Sequence, residues 1–412
     1  MEDSLNDDDA RPVRFATRQP ILAADETVIG YKLLFRTDVL SHFSLHGEKH
    51  AARRTIDMST LLGLDVLCDH RLAFIGCDRD ILLEQGLAFL PANRVVAEIE
   101  RGVEVDDAVV EACCALKNAG YRIALDGFTA DDSRQSIMHL ADYLKVDLKG
   151  SGWQEIPDLV GPDHWKNAVL LAANVESRED FDLARKEGFQ LFQGFFFRKP
   201  ESLRTRTAPT NRIIYLRLLQ AVMQEELDWD QVEELIESDP TLYYRLLRFL
   251  NSPLFGIRGE VRTVRQAFTL MGEDELRRWC RLAGMFEMSK GRPGELLLSA
   301  LVRARFAELL GACVEHHDAD LFLLGVLSMM DAILEVPMSV VIEGLPLNDQ
   351  AQRLLLEHDG ELAPLYELVS AVEAGTWQVV MRWCREIGVS EEFAAGCYGQ
   401  AMEWAQSLAA LS

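Results

Sequence analysis

Positive charge is what this sequence has least of. Lys and Arg together number 42 against 66 Asp and Glu, a formal net charge of -24. That deficit argues against a broad basic face for nucleic acid and against adhesion to anionic membranes, although a local basic pocket stays open. Paired cysteines are missing too. The eight cysteines make no CxxC, and Cys68, Cys77, Cys280, Cys313 and Cys397 stand apart while Cys113 and Cys114 merely adjoin. Such usage fits a reducing cytoplasm in which most thiols act as small buried apolar groups. The chain also lacks a long apolar run: LFLLGVLSMM is held between Asp320 and Asp331 and is too short to cross a bilayer. No charged segment followed by an apolar one opens the chain. Residues 1–12, MEDSLNDDDARP, read as a disordered acidic tail rather than a signal. The expectation is a cytoplasmic protein bound to neither nucleic acid nor membrane.

What is present is apolar and periodic. With 412 residues and 49% hydrophobic content, the chain can bury two cores, or one barrel plus an addition. From 13 to 200, β-rich runs alternate with amphipathic stretches: RFATRQPIL, VIGYKLLF, RLAFIGC, RVVAEIE, YRIALDGF, DYLKVDL, AVLLAANV and FQLFQGFFF. Between them lie helical patterns such as DDAVVEACCALKNAG, with an apolar stripe and Gly120 as its stop. Repeated strand and helix units imply parallel pairing, and so many strands in under 200 residues imply a TIM-like (β/α)8 barrel. Sites in such barrels gather at the strands' carboxyl ends. Residues 201–212 read as a linker. From 213 to 412 helical periodicity takes over, with Asp239 and Thr263 as helix caps, Pro240 at a first helical position and Gly272 as a stop.

The motifs ATRQPIL, YKLLFR, RVVAEIE, ALDGF, DYLKVD, NVES and QGFFFRKP fall in the order of the EAL domain, the barrel of cyclic di-GMP phosphodiesterases, which they resemble. ESDPTLYYRLLRFLNSPLFG followed by TVRQAFTLMG resembles the HDOD domain, a helical output module of bacterial signalling proteins. The resemblance implies a two-metal phosphodiesterase site. It also assigns its positions. The Glu of the EAL motif falls on Lys32, an Asn ligand on Gly76, the second Asp of a DDFG motif on Gly127 and the leading Glu of an EGVE motif on Ala173. Glu98, Asp126, Lys145, Asp147, Glu176 and Gln193 are retained, as are Gln19 and Arg36, whose family counterparts contact the nucleotide.

Losing oxygen donors is severe for hard cations, and Lys32 adds a charge that repels a dication by something on the order of several kcal/mol. The reading is that the Lys32 ammonium stands in for the metal and neutralises Glu98 and Asp126; the alternative is a lysine that snorkels to solvent. The retained polar set is then either a remnant ligand pocket or a network holding the barrel mouth together. In the helical half, GVLSMMD puts Ser328 and Met329 where relatives with a His-Asp pair carry it, with Asp331 out of register. Neither half is expected to be an enzyme or to hold a cofactor, and no metal site is assigned. His42, His46 and His50 recur every fourth residue, and His316, His317, Asp318 and Asp320 cluster; both read as solvated polar segments.

The resulting expectation is an inactive signalling scaffold. Its HDOD domain would meet a protein partner such as a kinase or another regulator, and its EAL-like domain would pair with itself as a homodimer. A non-hydrolysing cyclic di-GMP receptor is the alternative, and an active phosphodiesterase the third reading.

Overall fold

The computed structural model describes residues 16–35, 64, 67–88, 90–129, 131–149, 168–198, 210–250, 263–289, 293–312, 320–343 and 345–409. Arg36, His42, His46, His50, His316, His317, Asp318, the 1–12 tail and linker residues 201–209 lie outside them.

Each strand-like run in the first half forms a strand. β1 (Ala16–Ala23), β2 (Val28–Phe35), β3 (Leu72–Cys77), β4 (Val95–Ile99), β5 (Arg122–Leu125), β6 (Tyr143–Asp147), β7 (Val169–Ala173) and β8 (Leu191–Gln193) close into a barrel in sequence order. Neighbours from β2 to β8 pair in parallel, but β1 runs antiparallel to both β2 and β8. The reason is the short link between β1 and β2. Ala24 to Thr27 can close only a hairpin, because a parallel crossover needs a dozen or more residues. The turn is tied by Thr27 N and Oγ1 donating to Asp25 Oδ1, at 3.1 and 2.7 Å.

The barrel interior is a ring of apolar side chains: Ile21, Phe74, Val96, Ala124, Tyr143, Leu171 and Leu191. Side chains on a strand repeat their facing every two residues, so the positions two further toward the mouth point inward again. Those positions are Gln19, Gly76, Glu98, Asp126, Lys145, Ala173 and Gln193. In antiparallel β1 the step runs backward, from Ile21 to Gln19, and Gln19 pairs in register with Lys32. Helices α1 (Arg79–Leu83), α2 (Asp107–Asn118), α3 (Gln135–Met138) and α4 (Arg178–Lys186) follow their strands. Asp78, Asp106 and Ser177 cap α1, α2 and α4 by accepting from Ile81, Val109 and Asp180 backbone N–H groups.

The second half is helical. Helices α5 (Thr210–Val222), α6 (Trp229–Glu237), α7 (Pro240–Leu250), α8 (Val264–Met288), α9 (Gly294–Gly311), α10 (Leu321–Leu327), α11 (Met330–Leu334), α12 (Met338–Val341) and α13 (Asp349–Glu357) follow in order. α5 begins inside the stretch read from sequence as linker. Asp239 and Thr263 cap α7 and α8 as their positions imply. Gly272 breaks α8 rather than ending it: its φ of 74° lies in the left-handed region, and helix resumes after it.

The described residues fall into two compact units, and their division departs from the boundary read in the sequence. Residues up to 198 form one unit together with 309–312 and 364–409, while 210–308 and 320–363 form the other. Helices α14 (Ala363–Ala374), α15 (Trp377–Ile387) and α16 (Glu391–Ala409) therefore belong with the barrel, although their periodicity is continuous with the helical half. No helix among the described residues is long and apolar enough to cross a membrane.

Candidate functional site

At the barrel mouth the inward positions bring two lysines and two carboxylates together. Glu98 is fully buried in mid-strand, so its charge needs partners within the barrel. Lys32 Nζ lies 2.6 Å from Glu98 Oε2 and 3.9 Å from Asp126 Oδ2. Lys145 Nζ donates to Glu98 Oε1 and lies 3.0 Å from Asp126 Oδ1. Each ammonium touches both carboxylates, a closed ring with no net charge. The lysine is not snorkelling: its side chain keeps only 12% of its surface exposed.

Burial pushes the Asp126 carboxyl up, but Lys145 and Lys32 outweigh it and hold the group below the ordinary carboxylate value. For Lys145, burial favours the neutral amine, yet Glu98 and Asp126 hold the ammonium above its usual pKa.

The positions that resemble lost metal ligands are filled by other things. A side-chain Cβ at Gly76 would stand 3.1 Å from Glu100 Oε1 and 3.6 Å from Lys32 Nζ, so those two groups border the space. Gly127 has φ +59°, and Arg101 Cδ would be 3.3 Å from a Cβ there. Ala173 is buried against its neighbours and offers no donor.

Other retained residues form separate groups. Gln193 Nε2 donates to Gln19 Oε1 at 2.6 Å, while the buried Gln193 Oε1 accepts no hydrogen bond. Asp147 Oδ1 accepts from Asn174 Nδ2 at 2.8 Å and from the Lys149 backbone N–H at 2.9 Å. Glu176 pairs with Lys149 at 2.5 Å on an exposed surface and does not join the lysine and carboxylate ring. The retained set is thus three groups rather than one.

Two further participants stand outside the set read from the sequence. Glu100 lies one inward step beyond Glu98, and the alternation in EIE would have pointed to it. Its carboxyl is raised by burial, opposed chiefly by Lys32. Arg134, in a loop, is fully buried. Its Nη1 donates to Ile99 O and its Nη2 to Asp126 O, both at 2.8 Å, while Nε and Nη2 bind Asp132 at 2.9 and 2.6 Å. It therefore ties the carboxyl ends of β4 and β5, which carry Glu98 and Asp126.

Tested against a pair of hard divalent ions, these donors do not fit. Such ions need several free anionic oxygens, and here both Glu98 oxygens and both Asp126 oxygens face ammonium groups. Among the described residues no group of three or more His, Cys, Asp or Glu side chains is placed to hold a metal.

In the helical unit, Ser328 Oγ donates to Gly325 O at 2.8 Å and accepts from Arg303 Nη1 at 3.1 Å, and Met329 is buried. Asp331 is raised by burial despite the Ala332 backbone N–H and Arg303, which oppose the shift.

Comparison with known proteins adds the following. The HDOD domain family matches residues 208–336. A Vibrio cholerae serotype O1 protein named cyclic di-GMP phosphodiesterase CdgJ is 30% identical over 407 residues, covering 97% of this chain and 94% of the relative. Bacillus subtilis (strain 168) YuxH is 29% identical over 406 residues, covering 96% and 98%. Among solved structures, the Bacillus subtilis YkuI protein, with an EAL domain, in complex with c-di-GMP and calcium, is 19% identical. That match covers 55% of this chain and 71% of that one, with a TM-score of 0.36.

Proposed function

Since the chain belongs to the EAL-HDOD family of two-domain bacterial signalling proteins, we propose that it serves there as a catalytically silent scaffold acting through protein contacts. One observation carries the reading: the Lys32 ammonium, 2.6 Å from Glu98 Oε2, sits where the family resemblance places a carboxylate ligand. A cation there occupies the oxygens a dication would need and repels the dication itself. Partners would meet the helical unit, where Tyr244 and Leu270 are large apolar side chains 63% and 50% exposed. A kinase or another regulator would meet the protein there, and self-pairing of the barrel would make a homodimer.

The name of the Vibrio relative sets the rival. The purified protein incubated with cyclic di-GMP and Mn2+ or Mg2+ is expected to produce no linear dinucleotide. Turnover that Asp126→Ala abolishes would overturn the proposal.

A second reading, a non-hydrolysing cyclic di-GMP receptor, is favoured by one feature: Gln193 keeps a buried acceptor unused beside Gln19. Calorimetry with the nucleotide, with and without magnesium, separates the two. Saturable heat at micromolar nucleotide would establish the receptor; none at tens of micromolar would leave the scaffold.

A further inference from the structure

We infer that the C-terminal helices α14 and α16 are a brace for the barrel site, and that Gly375 and Tyr398 are positioning residues for Lys32 and Gln19, with Glu373 anchoring α14. Lys32 and Gln19 face each other across the β1–β2 hairpin, and the next pair outward on the same faces is Leu34 and Thr17. The C-terminal helices land on that pair. Tyr398 of α16 shares a hydrogen bond with Thr17 Oγ1 at 2.9 Å, between two buried side chains. Gly375, at the end of α14, has φ +68°. A Cβ there would come within 2.7 Å of Leu34 Cδ1, 3.2 Å of Leu34 Cβ and 3.4 Å of Thr17 Cγ2. Helix backbone and hairpin thus meet with no room for a side chain between them.

A second anchor lies where the chain departs. Arg198, just past β8 and its Gln193, donates through Nη1 to the buried Glu373 of α14 at 2.7 Å and stacks 4.2 Å over the Phe195 ring. The chain leaves the barrel unit beyond Arg198 and rejoins it for its final segment at Pro364, so this ion pair clasps the outgoing and returning strands of the path. The hairpin differs from the rest of the barrel in direction: among the described strands β1 alone runs antiparallel to its neighbours, and it meets β8 over Ile21 to Ala23. A hairpin held from outside by two helices keeps the Lys32 ammonium seated on Glu98. Lys145, on β6, pairs in parallel register with Leu171 of β7, away from the hairpin.

The test is acylation of lysines in the intact protein, read residue by residue by mass spectrometry, with exposed Lys149 as the internal standard. In Gly375→Val the Lys32 rate is expected to rise roughly tenfold relative to Lys149 as the hairpin opens locally, while Lys145 stays as protected as before. Tyr398→Phe, a milder change that leaves Thr17 without this partner, is expected to give the same selectivity at a few-fold and decides the matter if Gly375→Val does not fold. An unchanged Lys32 rate in Tyr398→Phe, or a rise shared equally by Lys32 and Lys145, would reduce the helices to general stabilisers and overturn the inference.

Discussion

Removing the Lys32 charge should cost the barrel more than any surface substitution. In Lys32→Met the aliphatic stem is largely kept, so the change is mainly electrostatic. Glu98, with none of its side chain exposed, loses the partner 2.6 Å from Oε2 and keeps only Lys145 on Oε1. Asp126 loses its longer contact and keeps Lys145 at 3.0 Å. A buried pair broken on one side costs about 3–5 kcal/mol; because Lys145 remains shared, about 3 kcal/mol is expected here. The measurement is native-state hydrogen exchange of β4 to β6 peptides against urea, which reports the barrel separately from the helical unit. The pH dependence fixes the sign. Asp126 has a depressed folded pKa, so its stabilisation is present above the ordinary carboxylate value and is lost as pH falls through the folded one. Taking Lys32 away removes one cause of that depression, so the variant's deficit should be greatest near neutrality and shrink on acidification. Adding Glu98→Gln to Lys32→Met should restore part of the loss. A deficit below about 0.5 kcal/mol, or one that does not change with pH, would refute the electrostatic account.

Further outcomes follow from other groups. Arg134→Met should lower barrel stability by about 3–5 kcal/mol, because Asp132 is left buried without its partner, with exchange rising first at the ends of β4 and β5. Tyr215→Phe deletes bonds to Asp239 and Glu287 at 2.6 and 3.3 Å and should cost the helical unit about 1–3 kcal/mol while barrel peptides stay unchanged. Lys32→Glu restores a carboxylate where the family resemblance places one. Mn2+ should raise the barrel Tm of that variant and leave the wild-type Tm where it was; an equal shift in both would contradict the role given to Lys32.

Much of the barrel is legible in the sequence because strands advertise themselves locally. The alternation in RVVAEIE and DYLKVDL marks both the strand and the inward face of Glu98 and Lys145. That Lys32 neutralises Glu98 and Asp126 is legible only through the family resemblance, and the share Lys145 takes in the ring carries no such signal. What escapes is information held in distance. The direction of β1 depends on the length of a link, not on the composition of the strand. Arg134 sits in a loop with no period to mark its burial, and its partners Ile99 and Asp126 come from two other segments. The C-terminal helices are the largest omission: period 3.6 shows that α14 and α16 bury a face but not which surface receives it. Here the receiver, Thr17, is separated from Tyr398 by nearly the whole sequence.

That separation bears on how the protein is made. On the ribosome the strands of the barrel emerge early, but α14 to α16, which complete their unit, emerge last. Through all of that interval the nascent hairpin lacks its outer support. Fragments ending near Arg198 should consequently be aggregation-prone.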